Sequence, residues 1–193
     1  MDIGFSTLHL PTLDTSGCDV IACGLFEDDR PMRGLAAVMD YRLAGRLSMF
    51  LRSGELTGRA NEAFLFPPRP RLTAEKLVVF GWGKVSECDD DAIDRAMRRM
   101  VTTLAGLGAK RALVELPGRQ RGLCDADRSA ILLFRAVEDV GAELHFQVVE
   151  DDEEPSKNSA IVSKVLNPFI YLHRKFADSA DFMVINRIRG RIS

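Results

Sequence analysis

Residues 20–26, Val-Ile-Ala-Cys-Gly-Leu-Phe, form a run with no polar side chain. A strand covered on one face alternates apolar with polar residues, so an unbroken apolar strand needs cover on both faces. The same character returns at Leu77-Val78-Val79-Phe80 and at Ala112-Leu113-Val114. Between these runs the spacing changes from two to about 3.6 residues. Leu35, Met39, Leu43, Leu47 and Phe50 make one stripe, which predicts a single helix from Gly34 to Arg52 ended by Ser53-Gly54. Ile93, Met97, Met100, Leu104 and Leu107 make another, opened by Asp89-Asp90-Asp91. Asp125 or Asp127 can cap a third helix, stopped at Gly141.

Further strands are expected at Ile3–Leu10, Ala63–Phe66 and Glu143–Val149, with a proline-rich loop from Pro67 to Pro70. Strands and helices thus alternate through residue 150, with no internal repeat. That order predicts an α/β fold of three layers, with a mixed and largely parallel sheet between helices and right-handed crossovers.

Three segments follow: an α/β domain over 1–150, an acidic linker over 151–156 (Asp-Asp-Glu-Glu-Pro-Ser), and an extension over 157–193. Charge divides at the same place. Residues 156–193 carry seven basic and two acidic residues, against 19 basic and 26 acidic before them. The extension is also apolar. Phe169, Leu172 and Phe176 share a helical face, and Arg187, Arg189 and Arg191 alternate with Ile188, Gly190 and Ile192. Surface of this kind calls for a partner: the domain itself, a second copy, another protein or a membrane surface. These six residues are the candidate interaction set, and a homo-oligomer or protein complex through 157–193 is the expectation.

Few residues carry chemistry. Cys18, Cys23, Cys88 and Cys124 have no metal-pair spacing and read as reduced thiols. His9, His145 and His173 are scattered, so no metal site and no cofactor is expected. Gly81-Trp82-Gly83-Lys84 precedes a helix, as phosphate-cradling loops do, which makes Gly81, Gly83 and Lys84 a candidate ligand loop. Against it, Asp89, Asp90, Asp91 and Asp94 already complement the coming helix N-terminus and would repel a phosphate. On that helix, Asp91–Arg95 and Asp94–Arg98 have ion-pair spacing and read as a solvated face. The basic tail lacks interleaved aromatics and the body is acidic, so nucleic acid is an unlikely partner on this reading. No apolar run is long enough for a membrane helix and no secretion signal opens the chain, so a cytoplasmic location is expected.

Four stretches, in order, resemble the N-terminal domain of the leucyl (cytosol) aminopeptidase family. They are Cys18–Asp28, Leu35–Leu51 with Asp40 and Gly45, Gly54–Glu62, and Leu77–Lys84, similar to that family's strand ending in Gly-Leu-Gly-Lys. The resemblance implies a macro-domain-like α/β fold for residues 1 to about 155. It also implies a catalytic half whose Asn-Thr-Asp-Ala-Glu-Gly-Arg-Leu string, supplying metal ligands, does not occur here. The expectation is therefore a non-enzymatic interaction or scaffolding protein that self-associates. Two alternatives remain open: a binder of a nucleotide or ADP-ribose-like molecule in a degenerate cleft, or an accessory subunit of a true aminopeptidase.

Overall fold

The computed structural model describes residues 2–8 and 17–150. Six strands form one sheet: β1 (Asp2–Thr7), β2 (Val20–Leu25), β3 (Ala63–Phe66), β4 (Lys76–Gly81), β5 (Arg111–Val114) and β6 (His145–Glu150). Their spatial order is β1-β6-β5-β2-β4-β3. All neighbours are parallel except β3 and β4, which pair antiparallel with Phe66 opposite Leu77. Among the described residues four helices cover it: α1 (Gly34–Arg42), α2 (Arg46–Ser53), α3 (Asp90–Gly106) and α4 (Ala126–Val140).

The apolar run sits where two-sided burial is required. β2 lies between β4 and β5, and every residue of it is buried. Val20, Ala22 and Phe26 pack with Ile93, Met97 and Val101 of α3 and Leu132, Leu133 and Ala136 of α4. Ile21, Cys23 and Leu25 pack with Leu35 and Met39 of α1 and Leu47 of α2. The sheet therefore separates two apolar cores, and the expected three-layer, mixed and mostly parallel architecture is what the chain adopts.

Gly24 has a steric role in this strand. A Cβ there would lie 2.2 Å from Cε2 of Trp82, whose indole meets the Phe26 ring edge-on at 5.4 Å. At the sheet edge, Phe64 and Phe66 of β3 pack on Phe50 of α2 at 5.0 and 5.6 Å.

The stripe from Leu35 to Phe50 does not form one helix. Ala44 (φ 56°) and Gly45 (φ 78°) are both left-handed, which ends α1 and lets α2 start in a new direction. Asp40, on α1, accepts from the backbone N of Ser48 at 2.9 Å and from its Oγ at 2.5 Å. The carboxylate thereby satisfies a free donor in the first turn of α2, where a negative charge is also favoured by the helix dipole. A continuous periodicity hid this break because both helices bury the same face. α3 is capped by Asp89, which accepts from Ala92 N at 2.8 Å, and α4 by Asp125, which accepts from Arg128 N at 2.8 Å. The first strand ends at Thr7 rather than Leu10, and Leu10 falls outside the described residues, as do the linker and the extension.

Asp40→Ala should cost about 1–2 kcal/mol, the usual loss for a helix cap, and lower the melting temperature by a few degrees. Asp40→Asn should retain most of it. A urea midpoint unchanged in Asp40→Ala would show that the α1–α2 junction is held by packing alone.

Candidate functional site

In open α/β sheets ligands bind beyond the carboxyl ends of the strands, where consecutive connections diverge to opposite faces. Here β2 leads to α1 on one face, while β5, beside it, leads to α4 on the other. The crevice between those connections is thus the first place to look, and it is occupied by the chain's own charged side chains.

Glu115 follows the last residue of β5 and is only 5% exposed. Its backbone N donates to the Ala22 carbonyl at 3.0 Å, continuing the pairing of β5 with β2. Its Oε1 accepts from the backbone N of Leu35, in the first turn of α1, at 2.8 Å. A carboxylate thus takes the position at a helix N-terminus that suits an external anion. Gly34 makes this possible: its φ is +56°, and a Cβ there would lie 2.0 Å from the same Oε1. No other residue type fits both constraints.

Asp29, 4% exposed, lies in the β2–α1 connection. It accepts from Arg121 Nε at 2.9 Å and from Arg33 Nε at 3.3 Å. Arg30 bonds the carbonyls of Phe26 at 2.7 Å and Thr57 at 3.0 Å, which ties this connection to the loop before β3. Arg119 grips Glu150 at the end of β6, with Nε to Oε1 at 3.0 Å, and also the Cys124 carbonyl at 2.9 Å. Burial works to lower the pKa of Arg119, but the bonds to Glu150 outweigh it and the net shift is upward. Each of these charges has a counter-charge or a backbone partner, as buried charges require.

The thiols are not poised to react. Burial, aided by the charge of Glu115, raises the pKa of Cys23 well above the ordinary thiol value. Cys88 and Cys124 shift the same way, again chiefly by burial. All four cysteines are free. Among the described residues, no group of three or more His, Cys, Asp or Glu is placed to hold a metal ion.

The candidate ligand loop is split. Gly81 lines a pocket with Trp82, Arg95 and Arg99. Gly83 (φ 77°) makes the turn away from it, and Lys84 pairs with Glu87 at 3.4 Å in a 3-10 turn. Of the two expected ion pairs on α3, Asp94–Arg98 closes at 2.9 Å and Asp91–Arg95 does not form. Phe169, Leu172, Phe176, Arg187, Arg189 and Arg191 lie outside the described residues. The crevice residues Asp29, Gly34, Glu115 and Arg121 were not singled out from the sequence. One signal was present, a lone carboxylate directly after the apolar run Ala112–Val114.

The fold so defined is that of the macrodomains. The macrodomain of Mycobacterium tuberculosis DarG superposes with a TM-score of 0.58 at 14% identity, covering 77% of this chain and 97% of that one. An Oceanobacillus iheyensis macrodomain gives 0.59 at 9% identity, covering 87% of this chain and 90% of the other. A mutant tomato leucine aminopeptidase gives 0.56 at 14% identity, covering 95% of this chain but 39% of the enzyme. Residues 22–134 match the cytosol aminopeptidase family, N-terminal domain, and the chain belongs to that family through this domain. A probable cytosol aminopeptidase of Pseudomonas syringae is 29% identical over 112 residues, which are 58% of this chain and 23% of the relative. One from Idiomarina loihiensis is 32% identical over 103 residues, 53% of this chain and 20% of the relative. The matches to these relatives thus span less than a quarter of their length and fall in the N-terminal domain alone.

Cys23 should remain unlabelled by a thiol reagent at pH 8 in the folded protein and react at once in denaturant. A raised folded-state pKa favours the neutral thiol, so its contribution to stability is complete below the unfolded value of about 8.5 and declines as pH rises beyond it. Rapid native labelling of Cys23, read by peptide mass mapping, would overturn this account.

Proposed function

We propose that this protein is a non-catalytic interaction or scaffolding module built on the N-terminal domain of the cytosol aminopeptidase family. The observation that supports this reading is the filled crevice. Glu115 caps the helix N-terminus that a phosphate would use, and Asp29 with Arg121 closes the space beside it. An incoming phosphate would have to displace a buried carboxylate or sit against it, at a cost of several kcal/mol by either route. No group of residues described above pairs a nucleophile with a base or holds a metal pair. The useful part of such a domain is its outer surface and the segment attached to it.

That segment is residues 157–193, with Phe169, Leu172 and Phe176 as the apolar anchor and Arg187, Arg189 and Arg191 as the basic face. Its positive charge and the negative charge of the domain steer one copy toward another, which speeds encounter more than it adds affinity. A cytoplasmic location fits a domain in which no described helix is long and apolar enough to cross a membrane. It also fits relatives described as cytosol aminopeptidases.

One similar fold, an Oceanobacillus iheyensis macrodomain, is solved with ADP. It gives a definite second reading, a binder of ADP-ribose-like molecules in the crevice, and calorimetry separates the two. ADP-ribose should show no affinity tighter than about millimolar. A micromolar dissociation constant would replace the scaffolding reading with the ligand-binding one.

Light scattering tests the association directly. The full chain should be larger than a monomer, and Phe169→Asp with Phe176→Asp should return it to a monomer of unchanged circular dichroism. A full chain and a double variant of the same monomeric mass would refute self-association through the extension.

A further inference from the structure

At the carboxyl end of β4, on the α3 side, lies a concavity of about 90 Å³. Its lining includes Asn61, Phe80, Gly81 and Trp82 and, from α3, Arg95 and Arg99. The two arginines are four residues apart and so stand one above the other on the same side of the helix. Both are exposed, and neither has an acidic partner among the described residues. Arg98, which lies between them in sequence, is by contrast held by Asp94 and Asp139.

The neighbouring carboxylates are turned elsewhere. Glu62 folds back into its own loop and accepts from Thr57 N at 3.0 Å, Gly58 N at 2.6 Å and Thr57 Oγ1 at 3.1 Å. Glu27 lies 3.6 Å from Arg59. Asp91, exposed one turn before Arg95, does not close on it, and Asp94 belongs to Arg98. Two arginines therefore line this concavity, and no ion pair among the described residues takes either of them.

The rim is built rather than loose. Gly81 N donates to the Glu62 carbonyl at 3.0 Å and Gly83 N to the Gly58 carbonyl at 2.9 Å. The strand end and the loop approach so closely that a Cβ on Gly81 would lie 2.0 Å from the Arg59 carbonyl oxygen. Asn61 is held at φ 68°, a conformation that non-glycine residues adopt at some cost. The pocket wall thus exists before any ligand arrives.

We propose that this pocket binds the phosphate of a small phosphomonoester. Two guanidiniums carry two positive charges and offer forked donors. A single carboxylate has one charge and is satisfied by one such fork. A phosphomonoester brings close to two negative charges and three acceptor oxygens, enough for both arginines and the Asn61 amide. The site takes the anion that the strand-end crevice refuses, and it does not depend on the scaffolding reading, since ADP-ribose has no monoester phosphate.

The test is titration of the full chain with phenyl phosphate, followed by amide chemical shifts at physiological salt. Saturable shifts at Asn61, Gly81, Arg95 and Arg99 are expected, with a dissociation constant of about 1 mM. Arg95→Gln with Arg99→Gln should weaken binding at least about tenfold, the loss of roughly 1.4 kcal/mol or more. Arg52→Gln, a remote exposed arginine, should leave it unchanged, as should Glu115→Gln. Benzoate should bind several-fold more weakly than phenyl phosphate. The proposal fails if shifts do not saturate by about 10 mM, if Arg52→Gln weakens binding as much as the double variant, or if benzoate binds equally well. Tighter binding in Glu115→Gln would instead move the phosphate to the crevice and contradict both readings.

Discussion

The two-sided burial of β2 organises this domain. A strand whose Val20, Ala22 and Phe26 enter one core while Ile21, Cys23 and Leu25 enter the other cannot lie at an edge or face water. It must have a strand on each side and helices above and below. Parallel neighbours β4 and β5 satisfy the first demand, and α1–α2 and α3–α4 the second. Because the crossovers leave β2 and β5 toward opposite faces, the crevice forms beside the carboxyl end of β2. The position of the candidate site follows from the burial of one strand.

That crevice shows how a familiar architecture can be closed from within. The helix N-terminus, the diverging connections and a tight glycine turn are present. The anion at the centre is a side chain of the protein, Glu115, in a position fixed by β5 and made accessible by the absence of a side chain at Gly34. Arg121 and Arg33 then neutralise Asp29, the second acid of the same region. Asp29 and Glu115 thus each bond to groups of the chain itself.

The layering was legible in the sequence because periodicity reports burial, and burial is what the sheet and helices share. The helix starts were legible for a related reason, as Asp89-Asp90-Asp91 and as Asp125 or Asp127: a carboxylate before an apolar-periodic segment suits a helix N-terminus. The break at Ala44–Gly45 was not, since two helices that bury the same face continue one stripe. Nor was the role of Glu115. A residue 80 positions from its partner Leu35 gives no local signal beyond its polarity among apolar neighbours. The arginines of α3 misled in the opposite sense. Spacing offered both Asp91 and Asp94 as partners, but Arg98 alone took one, which left Arg95 facing the pocket.

The contact between Gly34 and Glu115 also limits how such a chain can change over generations. The missing Cβ and the carboxylate occupy one volume, so position 34 cannot gain a side chain while Glu115 stays. Any larger residue at 34 demands a shorter one at 115, and a shorter residue at 115 reopens the helix end to external anions. The two positions should therefore covary across descendants. A lineage that came to bind an anion in the crevice would have to pass first through the loss of this acid.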